Sequence, residues 1–417
     1  MARTALLYLL LTVVPSLFGG RALAADKSDG LAQESIDKTQ QYAANLTEQK
    51  GGWVEPGVCA GQYCVYSNRY IAGGRGISLV TTNVNRQQVD RTERWLKHAN
   101  VHGAGREPPF EVKELADGRV AYVANKTIKR GAKIMGWTPV LLVHQRFFHD
   151  VKEADQDRLL DAAVKLLPWA TRQKLNAEKV EKSTGHKIKD LILARPFDVN
   201  LAIQTRPDDD TDEKHYLHYP EAAALVHHCR PNLAYHIDGN LAHHTVAARK
   251  LQPGDELTIA LTDPFLGRAA RQGQYRKISG GACTCGHCHA GGNADEWKKS
   301  DKQLKEIKDI ETHLKDHTST YVTAKMIERL VELYKSEGLH AKLAAPYELA
   351  ALNYNYLGHH KEAVKYANLA NQAGIIEQGP DSVEALTMRI LADDPQGHYS
   401  WKQKDKYKGP NVGKKTD

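Results

Sequence analysis

Three cysteines, Cys283, Cys285 and Cys288 in "CTCGHC", have the C-x-C-x-x-C spacing of metal ligands. Thiolates this close suit a tetrahedral zinc ion better than disulfides between near neighbours. A further cysteine, Cys229, lies upstream in "VHHCRPN". The remaining two, Cys59 and Cys64 in "CAGQYC", are spaced for a small disulfide loop. The even total of six keeps disulfides among the other four open as the alternative, because the compartment read below is oxidising. Histidines crowd the same part of the chain: His215, His218, His227, His228, His236, His243 and His244. Neutral imidazoles can act as acid–base groups on a small molecule, or bind a second metal. Consecutive pairs such as His243–His244 point to opposite faces of a strand, so about half of these rings are expected at the surface.

These residues need a scaffold, and the chain is long enough to supply one. Its 417 residues suit two or three domains, and a 41% hydrophobic, 26% charged composition excludes general disorder. The formal net charge of +7 is scattered and indicates no nucleic-acid surface. The opening "MARTALLYLLLTVVPSLFGGRALAAD" reads as a secretory signal peptide over 1–24, with Arg3 ahead of an apolar run and cleavage after Ala24. No later segment is apolar enough to span a membrane, so a protein of the secretory pathway or extracellular space is expected. Two glycosylation sequons follow, "NLT" at Asn45 and "NKT" at Asn125, the first in more polar sequence.

Alternation predicts strands in "YCVYSNRYIAGGRGISLVTT", with a turn at the glycines, and again in "RVAYVANKTIKRGAKIMGWTPVLLVHQ". Over 151–180 the period changes, placing Leu159, Leu160, Ala163, Val164 and Leu167 on one helical face. "RPDDDTDE" at 206–213 reads as a solvated acidic loop, and "LAHHTVAARKLQPGDELTIAL" as strand, turn and strand around Pro253-Gly254. From about residue 300 the pattern is helical. Gly358, Ala363, Tyr366 and Ala370 fall where tetratricopeptide-like helix pairs need small or aromatic packing residues; a generic helical hairpin reads the same way.

Taken in order, "VANKTIKRGAKIM", "HHCRPN", "VAARKLQPGDELTIA" and "CTCGHC" resemble a SET domain with its cysteine-rich post-SET segment. A secretory leader and a helical carboxy-terminal region make the arrangement similar to fungal SET-domain proteins. The resemblance covers 112–290 and implies a β-rich SET fold with a helical insertion there. With the patterns read above, the chain is expected to be α+β, with a lead-in and hairpin region over 25–111, a helical domain over 291–400 and a disordered tail over 401–417. The resemblance also implies a structural zinc held by Cys229, Cys283, Cys285 and Cys288.

SET enzymes transfer a methyl group from S-adenosylmethionine to a lysine amine of a protein or peptide. Three of their motif positions depart here. The Gly-x-Gly turn beside the cofactor keeps Gly118 but has Val120; the Asn-His pair keeps His227 but has Val226; the catalytic Tyr position is Leu261. Valine and leucine side chains make no hydrogen bonds. Losing oriented polar groups of this kind typically costs factors of about 100 to 1,000 each. The expectation is a catalytically impaired or repurposed SET fold, with Gly118 and His227 as what remains of the cofactor site. The alternatives are an active methyltransferase in which Tyr216, Tyr219 or Tyr235 substitutes, and a SET scaffold serving a small-molecule catalyst or a peptide-binding helical module.

Overall fold

The computed structural model of the chain describes residues 52–54, 56–90, 107–115, 118–180, 184–195, 197–201, 213–222, 225–288, 294–319 and 321–403. The expected leader, the sequon at Asn45, the acidic loop except Glu213, and the tail from 404 lie outside the described residues. The fold is mixed α+β, as expected.

The strands are β1 (Cys59–Ala60), β2 (Tyr63–Asn68), β3 (Ile77–Thr81), β4 (Phe110–Glu114), β5 (Val120–Ala124), β6 (Lys133–Trp137), β7 (Leu141–His144), β8 (Phe197–Asn200), β9 (Lys214–His218), β10 (Val226–His227), β11 (Leu233–Ile237), β12 (His243–Ala247) and β13 (Thr258–Ile259). The helices of eight residues or more are α1 (Asn83–Asp90), α2 (Glu153–Leu166), α3 (Trp169–Ala177), α4 (Lys187–Ala194), α5 (Arg268–Ser279), α6 (Ala294–Lys315), α7 (Ala324–Ser336), α8 (Ala344–Tyr356), α9 (His360–Gln378) and α10 (Val383–Asp393).

A six-stranded sheet runs in the order β1-β2-β3-β7-β9-β8. It therefore joins residues 59–81 to 141–218. The expected β2–β3 hairpin is present, with the chain reversing through Ala72, Gly73, Gly74 and Gly76, all at positive φ. The β1–β2 register sets Cys59 directly opposite Cys64, and the two form a disulfide. One face of the sheet is covered by α2, whose Leu159, Leu160 and Ala163 are fully buried as the helical period predicts. Glu153 and Asp155 in the first turn complement the helix dipole, and Pro168 follows the end.

The segments "RVAYVANKTIKRGAKIMGWTPVLLVHQ" and "LAHHTVAARKLQPGDELTIAL" form strands that do not pair across their turns. β5 pairs with β4, β6 with β12, and β7 with β3 and β9. Strand β10 pairs in parallel with β13, Val226 opposite Thr258 and His227 opposite Ile259. Asn232 fixes this junction: its Nδ2 donates to Glu256 O (2.7 Å) and its Oδ1 accepts from Thr258 N (2.9 Å).

The carboxy-terminal region is a set of antiparallel helices. Gly358, at φ +77°, turns α8 into α9, and Ala363, Tyr366 and Ala370 are buried in their core. Two buried asparagines act as staples. Asn353 Nδ2 donates to Leu314 O (2.9 Å), and Asn355 Nδ2 to Pro395 O (2.9 Å) and Ser400 Oγ (2.7 Å). Ala341 and Ile376 pack on Ala234, Val246 and Ala248 of the β-rich part.

The histidines depart from expectation. Of the seven, none is surface-exposed: His215, His218, His227 and His243 are buried and the other three half-buried. The alternation argument assumes one wet face per strand, but here helices or a second sheet cover both. His243 is 1% exposed, ringed by Phe197, Tyr219 and Tyr235. Burial, with His244 and His236 nearby, pushes its pKa down to about 3. Its folded pKa thus lies below the unfolded value near 6.5. The neutral ring's contribution is complete above pH 6.5 and is lost progressively as pH falls towards 3. The substitution His243→Phe should therefore gain on the wild type below pH 6.5, by up to about 1.4 kcal/mol per pH unit for the one proton. Urea unfolding of both proteins at several pH values measures the gap; a gap independent of pH would refute this origin.

Candidate functional site: a four-cysteine cluster beside a cleft

Cys229 leaves β10, and Cys283, Cys285 and Cys288 follow α5; the fold brings all four together. Their sulfurs lie within 4.8 Å of one another, with Cys229 Sγ 3.4 Å from Cys288 Sγ and 4.0 Å from Cys283 Sγ. Three are buried and Cys285 is half-buried. Thiol hydrogen bonds from Cys229, then Cys283, lower the pKa of Cys285 and hold Cys288 down to about 7. The four thiols are free, and the cluster can hold a metal ion. Four sulfur donors at this spacing fit a closed tetrahedral centre with no position left for substrate.

The groups around the cluster are ordered by hydrogen bonds. Gln272 of α5 holds both backbone groups of Cys283, donating to its O (2.8 Å) and accepting from its N (2.9 Å). His227 Nδ1 accepts from Leu261 N–H (3.0 Å), which assigns the ring proton to Nε2, 3.5 Å from Cys229 Sγ. Its ring stacks on Tyr275 at 4.6 Å, and burial lowers its pKa to about 4. His227 thus braces a cysteine on one side and the Leu261 backbone on the other, a typical role for a neighbour of a metal ligand.

Arg230, next to Cys229, carries the cluster's position into the helical region. Its Nη1 donates to Cys229 O (2.8 Å) and Pro264 O (2.9 Å), its Nε to Glu337 O (2.7 Å) and its Nη2 to Glu337 Oε2 (2.8 Å). The two side chains are only 6% and 3% exposed. Glu337 Oε2 also accepts from Ser300 Oγ (2.8 Å) on α6, which lies 3.4 Å from His287 Nε2 inside the cysteine loop. Arg268 bonds Cys288 O (3.1 Å) and stacks over Trp297.

Beside the cluster opens a cleft of about 1240 Å³. Gly118, Val120, Val226, His227 and Leu261, from three separate stretches, all line it. Gly118 has φ +77° and open space where a Cβ would stand, so it serves the turn rather than a close approach. Val120 is 42% exposed on the cleft wall. Tyr216, Tyr219 and Tyr235 are not among the lining residues, and the Tyr219 hydroxyl is committed to Leu241 O (2.7 Å).

Two tyrosines do line the cleft, Tyr275, stacked on His227, and Tyr122, which sequence reading missed although its spacing from Val120 on one strand face would have found it. Burial first, then the carboxylates of Glu221 and Glu178, push the pKa of Tyr122 up to about 12, so it is a neutral hydroxyl. Glu178 bonds His218 Nε2 at 3.0 and 3.1 Å. Glu221 is gripped by Arg75 at 2.7 and 2.6 Å and by Lys174 at 2.8 Å; those bonds outweigh burial and keep its pKa below the usual range. The cleft thus offers fixed, largely paired charges and several hydroxyls, Tyr122 and Tyr275 among them, a set suited to binding a polar ligand.

Neither a scan against protein-family models nor a search of the curated proteins finds a match to this chain.

The Arg230–Glu337 pair yields a stability prediction. Glu337→Ala leaves a buried guanidinium uncompensated and should cost about 3–5 kcal/mol. The double change Arg230→Met with Glu337→Leu should cost clearly less, because no charge is stranded. Urea unfolding measures both, and equal losses would show that the ion pair itself is not what matters.

Proposed function

We propose that the chain is a SET-type protein with a structural zinc, secreted or resident in the secretory pathway, whose cleft has lost most or all methyl transfer. The observation that carries this reading is convergence. Gly118, the Val226-His227-Cys229 stretch, Leu261 and the Cys283–Cys288 loop are far apart in sequence, and they meet at one cleft and one sulfur cluster. The SET resemblance expects those four stretches to meet. The helical region, with its α8–α9 hairpin closed at Gly358, is read as tetratricopeptide-like.

Zinc is the metal chemically suited to four clustered thiols, and each would bind as a thiolate, releasing protons. Its binding energy would be folding energy. Elemental analysis of purified protein should find close to one zinc per chain, and Cys285→Ser should lower stability through loss of the metal. Protein without metal, with disulfides mapped among Cys229, Cys283, Cys285 and Cys288, would remove the zinc from this proposal.

The residues present do not suit S-adenosylmethionine in the way SET enzymes hold it. Val120 presents a branched side chain where close backbone approach is wanted, and Val226 replaces a polar anchor. Leu261 offers its N–H to His227 and only methyl groups to the cleft. A lysine amine must be aligned with the methyl–sulfur axis, and alignment supplies much of the rate. Radiolabelled methyl incorporation into a broad protein extract should be near background for the wild type. Val226→Asn with Leu261→Tyr should give a weak signal, whereas Leu261→Tyr alone should not if the cofactor no longer binds. Turnover by the unmodified protein at the level of an ordinary SET enzyme would overturn the reading and make Tyr122 the first residue to replace. Titration calorimetry with S-adenosylmethionine separates a cleft that binds the cofactor without turnover from one that does not bind it.

A further inference from the structure

Of the two sequons, only the one at Asn125 lies among the described residues, and the fold leaves it open. Asn125, Lys126 and Thr127 are all exposed, in a bend directly after β5. The Asn125 backbone N–H is fixed to Pro109 O (3.2 Å), while its Nδ2 makes one long hydrogen bond, to Pro108 O at 3.3 Å in an exposed setting. Thr127 Oγ1 bonds Gln252 Oε1 at the surface (3.2 Å). No core group would need to move to admit a bulky substituent on Nδ2.

We propose that Asn125 carries an N-linked glycan, an inference that rests on the secretory reading. The transfer uses a lipid-pyrophosphate-linked oligosaccharide. The bond from sugar C1 to the pyrophosphate oxygen breaks, a C1–Nδ2 bond forms, one amide proton is released and the lipid pyrophosphate leaves. The product amide keeps one N–H, so it can still donate to Pro108 O.

The site's position gives the glycan work to do. Strand β4 pairs with β5 alone among the described residues, and its Val112 is 65% exposed. An open strand edge with an apolar side chain invites edge-to-edge pairing with another chain. Phe110, the first residue of β4, is paired with Ala124, immediately before Asn125. A glycan there stands over the start of that edge and obstructs such pairing.

The test uses the full chain with its leader, expressed in a eukaryotic secretory host, in an Asn45→Gln background that leaves one sequon. Peptide-N-glycosidase should shift the protein's mass by one glycan, and peptide mapping should find Asn125 converted to Asp by the release. Asn125→Gln and Thr127→Ala should both abolish the shift, and Thr127→Ser should retain it. The glycan-free secreted variants should also self-associate at concentrations where the parent is monomeric; equal behaviour would refute the shielding role. Amino-terminal sequencing and mapping of the Cys59–Cys64 disulfide in the same sample distinguish the two possible failures. A chain that begins at Ala25 with unmodified Asn125 overturns the glycan alone. A chain with its leader intact and Asn125 unmodified overturns both the glycan and the secretory reading.

Discussion

The junction between the β-rich part and the helices that follow it is built around four sulfurs brought together. The Cys283–Cys288 loop is short, has no regular secondary structure and is tied down mainly by Gln272, Arg268 and its own thiols. Four thiols cannot all ionise in a buried space without a cation, so a metal ion there would decide whether the loop is a fixed corner. From that corner, order passes outward through buried polar contacts: Arg230 to Glu337, Glu337 to Ser300, and Ser300 to His287. The apolar contact of Ala341 and Ile376 with β11 and β12 is a second, independent attachment. The two differ in kind, since one depends on paired charges and the other on burial alone.

The cleft and the cluster are neighbours with different chemistry. A centre of four sulfurs is closed to substrate, so whatever the cleft binds is met by other groups. Leu261 and His227 sit on the seam between them. The same imidazole accepts from Leu261 N–H at the cleft wall and faces Cys229 in the cluster, so one ring touches both. The cleft is also lined by polar groups, among them Tyr122 with Glu178 and Glu221 near it.

What could be read from the sequence was what is local. The helical face of Leu159, Leu160 and Ala163, the hairpin around Gly73–Gly76 and the buried Ala363, Tyr366 and Ala370 all follow from period and turn chemistry. The cysteine grouping was legible through its spacing, although the approach of Cys229 to the other three came only from the resemblance. Strand pairing was not legible. The partners of β5, β6 and β7 lie far along the chain, and alternation identifies a strand without naming its neighbour. Histidine burial was missed for the same reason, since a strand covered on both faces looks, in sequence, like one covered on one. Tyr122 could have been placed beside Val120 by strand alternation, but the Glu178–His218 pair carried no motif and became visible only when the end of α3 and β9 were placed around one cleft.

The parallel pairing of β10 with β13 also constrains how the chain can assemble. Strand β10 has no ladder partner until residues 258–259 exist, and Cys229 has no companions until Cys283–Cys288 follow. A chain emerging amino-terminus first from the ribosome must therefore keep the "VHHCRPN" stretch unfinished until the whole β-rich part has been made. The helices that come after are built from near neighbours, α8 on α9 and α9 on α10, and closures of that kind are fast. The late, long-range closure is of the slower kind, and it leaves the Cys229 thiol waiting in an incompletely folded chain. In an oxidising compartment that interval is when an incorrect disulfide at Cys229 can form, so prompt capture of a metal ion would protect the folding route as well as the final fold.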